Sequence, residues 1–236
     1  IDEAGQAQPQ MAVGALYRAR KAIIVGDPRQ VEPVVTDDLK LLKEAYEEPV
    51  LANYKDKSLS VQSCADIINP FGTFYDNGTD CPEWVGCPLL VHRRCISPMY
   101  DISNHISYQG IMKQQTLPPS ESEITSFIFN KSQWINVTGV ENGHGDHYVS
   151  EQGDMVCKLV DVAFQKTIET SKKEIEIKPS LYIISPFTSV VHGLRKAIGT
   201  YVSKNRNSVL ATSKSLGEWL YDNTGTVHKF QGKQAN

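Results

Sequence analysis

Ala22-Ile23-Ile24-Val25-Gly26-Asp27-Pro28-Arg29-Gln30 is the stretch on which the fold reading turns. Its first four residues form a short, β-branched apolar run, the pattern of a strand buried on both faces. Gly26 and Pro28 then end the strand and force a polar loop. Ligands of open α/β sheets sit just outside the carboxyl ends of strands. Gln30 can donate and accept there at once, as sensing a phosphate or an attacking water requires. Alone the stretch decides little, because a strand ending in such a turn is most often only a strand and a turn. Upstream, Ile1-Asp2-Glu3-Ala4-Gly5-Gln6 reads as the tip of a second buried strand, again ending in carboxylates. A helical segment over residues 8–20 separates the two. Together they make a βαβ unit with both polar tips on one edge.

With 236 residues, the chain can form one large α/β domain or one and a half smaller ones. Apolar content of 40% and a mean hydropathy of −0.32 are ordinary for a soluble protein. No apolar run reaches the roughly 18 residues of a membrane span, and the N-terminus lacks the regions of a signal peptide. A cytoplasmic, monomeric protein is expected. Because the sequence starts abruptly inside an expected strand, it reads as a piece of a longer one. Cys64, Cys81, Cys87, Cys95 and Cys157 contain no C-x-x-C pair and read as reduced thiols. A zinc site from Cys81, Cys87, His92 and Cys95 is disfavoured, since these spacings do not suit a compact tetrahedral site. Three Asn-x-Ser/Thr matches, at Asn77, Asn130 and Asn136, are read as chance.

Charge is distributed unevenly. Residues 36–90 carry four Lys/Arg against ten Asp/Glu, whereas residues 185–233 carry seven against two. A polyanion would meet the second region, although a solvated basic face has the same composition.

Along the chain, Leu39, Leu42 and Tyr46 mark a helix over residues 38–47. Residues 60–68 form another, with Val61, Cys64, Ala65 and Ile68 inward. Residues 69–87 read as loop, dense in Gly, Pro, Asn and Asp. A strand over residues 89–91 leads to His92-Arg93-Arg94 and to a helix with Met99, Ile102, Ile106 and Tyr108 inward. Two adjacent arginines near an interior are costly unless an anion meets them. Residues 113–130 are read as irregular, with an optional strand at 125–129, and residues 134–137 as a strand. The glycine-rich stretch 139–147 is a loop whose His144 and His147 are read as solvated rather than metal-binding. Residues 150–168 form an amphipathic helix with Val156, Leu159, Val160 and Ala163 inward. Leu181-Tyr182-Ile183-Ile184 is the best candidate for a second central strand. It ends in Ser185-Pro186-Phe187-Thr188, before a helix carrying Val191, Leu194, Arg195 and Ile198. A strand at 207–211 and a short helix at Trp219-Leu220 precede Gly225-Thr226-Val227-His228-Lys229-Phe230-Gln231-Gly232-Lys233-Gln234.

Asp2-Glu3-Ala4 followed by Gly26-Asp27-x-x-Gln30 resembles motifs II and III of superfamily 1 helicases, especially the branch of the nonsense-mediated-decay helicase. The stretch from His92 to Tyr108 is similar to that family's Gln-Tyr-Arg-Met segment and following helix. Ser185 to Thr188 is similar to its Thr-Pro-Tyr loop, and Thr226 to Gln234 to motif V. The resemblance implies an α/β fold of the RecA-like, P-loop NTPase type, a parallel sheet flanked by helices. Residues 1–35 would end the first RecA-like domain, 36–88 would be a linker, and 89–236 the second domain. It also implies ATP and Mg2+ as cofactors and single-stranded DNA or RNA as partner. Asp2 would hold the metal, Glu3 activate water, Gln30 sense the γ-phosphate and Arg94 stabilise the transition state. Ser185, Pro186, Phe187, Thr188, Thr226 and His228 would touch the strand, with Phe187 either stacking on a base or lidding a core.

Arg93, Gly232 and Gln234 fall on nucleotide-contacting positions. Arg93 replaces the usual adenine-stacking Tyr, though a guanidinium can stack, and Gln234 replaces the usual Glu. No Gly-x-x-x-x-Gly-Lys-Ser/Thr occurs, and motif VI is absent. The expectation is therefore an active ATP-driven parent and an inactive isolated chain. A decayed, ATPase-dead docking module is the alternative. A nucleotide-using enzyme outside the helicases is a third reading, distinguished by a small-substrate pocket and no strand binding.

Overall fold

Two extended segments at the start of the chain run side by side. The Ile1 nitrogen donates to Ile23 O at 2.8 Å and Val25 N to Ile1 O at 2.9 Å. Ala4 N then donates to Val25 O at 3.0 Å, the slanted pattern of parallel pairing. Between them lies α1 (Pro9–Arg18), with Pro at its first turn, where no backbone donor is lost. In this computed structural model, the described residues are 1–27, 29–34, 44, 59–76, 80, 82–129, 131–143, 145–170, 178–231 and 233. They fall into two units, Ile1–Pro118 and Pro119–Asn236. The boundaries expected at 35/36 and 88/89 both lie inside the first. The helix expected at 38–47 lies outside the described residues, apart from helical Glu44.

In the first unit, Ala4, Ala12 and Val61 form a small core with Ala7 and Ile24 against it. Ile23 is 79% exposed, so the expectation of a strand buried on both faces is corrected. Among the described residues the segment has a neighbour on one edge, and only Ile24 points at α1. Gly5 and Gly26 set how closely the two tips approach. A Cβ on Gly5 would lie 2.4 Å from Asp27 O, and one on Gly26 would lie 2.5 Å from Gly5 N. Those contacts are with backbone, which cannot swing away.

Ser60 caps α2 (Val61–Ile68) by accepting from Ser63 N, and Ser63 reciprocates in a capping box. The first N–H groups of α2 reach back, Val61 to Ala7 O and Gln62 to Ala4 O. Ile68, expected inward, is 80% exposed, and Asp66 takes the buried place. Asp66 Oδ1 accepts from Gln62 Nε2 and Gly86 N, both at 3.0 Å. Within the expected loop 69–87 the chain instead forms an antiparallel pair, β1 (Thr73–Tyr75) and β2 (Glu83–Val85). Phe74 meets Trp84 edge-to-face at 5.1 Å across it. That cross-strand pair outweighs the loop-forming composition.

Downstream, β3 (Val91–His92), α3 (Met99–Tyr108) and β4 (Lys113–Gln114) make a second, small parallel βαβ piece. The inward face of α3 is Tyr100 and Asn104, not the expected apolar stripe; Met99, Ile102 and Ile106 are exposed. Asn104 both accepts from Met112 N and donates to Met112 O, while the Tyr100 hydroxyl donates to the same carbonyl. These bonds select the face.

The second unit opens with α4 (Glu121–Ser126), capped by Ser120 and Glu123, where a strand at 125–129 was an option. Residues 134–137 are not a strand, and Trp134 is 94% exposed. β propensity reflects packing against neighbours, and no neighbour pairs with them among the described residues. The core gathers on α5 (Ser150–Thr170), through Cys157, Val160 and Phe164. Val156 and Leu159, expected inward, are only partly buried. Then follow β5 (Ile183–Ser185), α6 (Thr188–Lys204), α7 (Val209–Thr212), α8 (Leu216–Asn223), β6 (Thr224–Thr226) and α9 (Val227–Phe230). The strand expected at 207–211 is largely α7, whose cap Ser208 turns Leu210 into the core. Ile198, Leu210 and Trp219 complete that core, and Trp219 meets Phe164 edge-to-face at 4.9 Å. Trp219 Nε1 donates to Pro179 O at 3.1 Å, satisfying the one polar atom of the buried indole. β5, within the expected central strand at 181–184, pairs in parallel with β6, and Ile184 is 50% exposed. The described residues therefore form a mixed α/β chain whose parallel pairing is confined to short sheets.

Gly26→Ala is expected to lower stability by about 1–3 kcal/mol through backbone overlap. Gly14→Ala, in α1 with nothing within 4 Å, should raise it by up to about 1 kcal/mol. Urea unfolding of both variants measures the contrast. Burial pushes the Cys157 thiol up to about 11. At pH 8, iodoacetamide should therefore label exposed Cys87 and spare Cys157 until the unit unfolds, as peptide mass mapping would read.

Candidate functional site

Asp27 is the hub of the first unit's polar tip. Its Oδ1 accepts from Arg29 N at 2.9 Å, and its Oδ2 from Gln30 Nε2 at 3.1 Å. Tyr108, at the end of α3, donates its hydroxyl to the same Oδ2. Burial first, and then the Asp27 carboxylate, push the Tyr108 phenol well above its ordinary value. It therefore stays a neutral donor throughout the physiological range. Sequence reasoning placed Tyr108 inward but gave neither it nor Asp27 a role at the tip. The signal was the carboxylate in Gly26-Asp27, which needs donors wherever it is partly buried. Arg29 is occupied by an ion pair with Glu83 and lies 5.3 Å over the Tyr75 ring.

Asp2 and Glu3 stand at the adjoining tip, both exposed. Asp2 Oδ1 accepts from Glu3 N at 2.9 Å, and Glu3 Oε2 from Gln6 Nε2 at 2.9 Å. Glu3 sits at φ 52°, a left-handed conformation rare outside glycine. Asp2 Oδ2 has no partner among the described residues, which suits a cation such as Mg2+ that keeps most of its waters. No group of three or more His, Cys, Asp or Glu that could hold a metal occurs among the described residues.

Arg93 and Arg94 follow β3 in the same unit, both exposed. His92 Nε2 accepts from Cys95 N at 2.7 Å and shapes their turn. Arg93 donates to Gln115 Oε1 at 3.0 Å, whereas Arg94 has no hydrogen-bond or ion-pair partner among the described residues.

The second unit brings another set of expected residues together. Parallel register sets Ser185 opposite Thr226, so the loops that follow leave from one sheet edge. Pro186, Phe187, Thr188 and His228 are exposed there, Thr226 is partly so, and Ser185 is buried. Ser185 Oγ accepts from Phe187 N at 3.2 Å and fixes the bend. Phe187 is 43% exposed, hence no core lid. Arg195 donates to Thr224 O and Tyr221 O, locking α6 to the base of β6. Lys229 lies 4.7 Å over the Tyr221 ring, and burial, with Arg195 and Lys233 next, pulls its amine below the usual lysine range. Sequence reasoning assigned Arg195 and Lys229 no site role. Gly232 and Gln234 lie outside the described residues.

No protein-family model matches the chain, and no solved structure matches it. The chain is similar to an uncharacterized ATP-dependent helicase of Methanocaldococcus jannaschii, 23% identical over 205 residues. That alignment covers 83% of this chain and 26% of the archaeal protein, about a quarter of its length. The similarity supports a helicase relationship. No described helix is long and apolar enough to cross a membrane.

Tyr108→Phe removes one donor from Asp27 and should lower stability by about 1.5 kcal/mol at pH 7, by urea unfolding. Since folding raises the phenol's pKa from 10.0, its contribution is complete below pH 10 and fades as pH rises beyond it. The deficit of the variant should therefore shrink in alkaline buffer.

Proposed function

We propose that the chain is part of an ATP-dependent superfamily 1 helicase or translocase that moves on single-stranded DNA or RNA. The observation that carries this reading is the backbone contact between two polar strand tips, Asp2–Gly5 and Gly26–Asp27, made possible by glycine on both sides. The resemblance of these tips to motifs II and III implies that adjacency. The similarity to an ATP-dependent helicase adds to it.

In the proposal the fold is RecA-like, with residues 1–35 ending one domain, 36–88 linking and 89–236 forming most of the next. ATP with Mg2+ would supply the phosphoryl chemistry. Asp2 would hold the metal through its open oxygen, and Glu3 would take a proton from the attacking water. Asp27, fed by Tyr108, holds the Gln30 amide, and Gln30 would face the γ-phosphate from that position. Arg94, already exposed, would meet charge developing on the transferred group, a contribution worth about 10³–10⁵ in rate where measured. Gly232 and Gln234 would contact the nucleotide. Ser185, Pro186, Phe187, Thr188, Thr226 and His228 would hold the strand. Arg93 favours a second reading, an ATPase-dead docking module, because Gln115 occupies a donor that adenine stacking would prefer free to move.

ATP hydrolysis by a longer protein carrying this chain should rise when a single-stranded oligonucleotide is added. Arg94→Ala should lose at least about a hundredfold in kcat. Wild-type protein that hydrolyses ATP without any stimulation would overturn the helicase reading and favour the docking module. The chain alone should bind the oligonucleotide in a salt-sensitive way and turn over no ATP.

A further inference from the structure

His147 lies in a turn between Glu141 and Val149, which form an antiparallel bridge. It adopts φ 57°, close to Gly145 at φ 80°. For a residue with a Cβ, such a conformation persists only where its surroundings over-determine it. Here they do. Glu141 Oε1 accepts from His147 N at 2.6 Å and stands 3.7 Å from the ring Nδ1. Asn142 N donates to Tyr148 O at 3.0 Å. Ser189 Oγ donates to Asp146 O, tying the turn to the first turn of α6. Next in sequence, the Tyr148 ring lies directly against Gly153 of α5 and Gly193 of α6, where an added Cβ would collide with it. A solvated loop histidine needs no such holding.

The outcome is a ring placed against Phe187. The centroids are 4.0 Å apart and the planes tilt by 31°, too close to admit a base between them. The His147 side chain remains 45% exposed and Phe187 43%. A base would therefore rest on the outside of the pair. Stacking of this kind accepts any base, because every base has a π face.

We infer that His147 is a nucleic-acid contact, forming with Phe187 a two-ring platform on which one base of a single strand stacks. The inference rests on the nucleic-acid reading above and extends it to a residue outside the helicase resemblance. The platform stands on the edge where Thr188 and His228 are exposed, and Lys229 and Lys233 follow on α9 and just beyond it. A strand reaching it would keep its phosphates near positive charge.

Fluorescence anisotropy of the full chain with a labelled oligo-dT, over a salt series, tests it. His147→Ala should weaken binding about tenfold with the salt slope unchanged, since no phosphate contact is lost. His147→Phe keeps a ring and should bind like wild type. In an oligonucleotide carrying 2-aminopurine, the quenching at one position should vanish with His147→Ala and survive with His147→Phe. Wild-type affinity in His147→Ala, tighter binding by it, or equal losses in both variants would overturn the platform. Phe187→Ala separates the two readings. If wild type fails to bind, the nucleic-acid reading falls; if wild type binds and Phe187→Ala binds equally well, the platform falls and that reading stands. If Phe187→Ala weakens binding and His147→Ala does not, only the platform falls.

Discussion

The constraint that organises the start of the first unit is the crossing of two backbones at Gly5 and Gly26. Peptide groups of the two tips approach so nearly that neither position has room for a methyl group. Much else in that unit follows from this crossing. Ala4 is fully buried beneath it, and α2 hangs its first N–H groups on the carbonyls of Ala4 and Ala7. Asp2 and Glu3 are carried to one side of the crossing and Asp27 and Gln30 to the other.

The second unit reaches a similar end by different means. Its strands are only three residues each, with Ile184 half-exposed, so the sheet alone could not hold the loops after Ser185 and Thr226. Helices supply the rigidity. Phe164, Ile198, Leu210 and Trp219 pack beneath the strands, and burying each large apolar side chain contributes about 1.5–3 kcal/mol. Arg195 closes the assembly by donating to two carbonyls at the root of β6. Tyr148 fills the space opened by two glycines on facing helices. One tyrosine thus holds both the packing of α5 against α6 and the position of the turn before it.

Function in this proposal depends on groups that are bound on one side and open on the other. Asp2 gives one oxygen to its own turn, and His147 gives one face to Phe187. Such groups are pre-oriented, yet an edge remains for a ligand. Pre-orientation lowers the entropy lost on binding. Arg94 differs, being exposed and without a partner among the described residues.

Long helices were legible in the sequence. Apolar spacing located α2, α5 and α6, and α1 was expected between the two strand tips, because these signals are local. Gly and Pro in Gly26-Asp27-Pro28 marked the first tip for the same reason. Faces and pairings were not legible. Met99, Ile102 and Ile106 have helical spacing, but Asn104 and Tyr100 are turned inward by the backbone of Met112, eight and twelve residues away. Residues 134–137 have strand composition and no strand to join among the described residues, whereas residues 73–75 and 83–85, set in loop-like sequence, find each other through Phe74 and Trp84. The role of Asp27 waited on Tyr108, and the place of His147 on Phe187 and Ser189. The sequence by itself determined which segments could be helices and which turns carried polar tips. Only the tertiary structure decided which side chains met, because a hydrogen bond or a ring contact depends on distances that no spacing along the chain encodes.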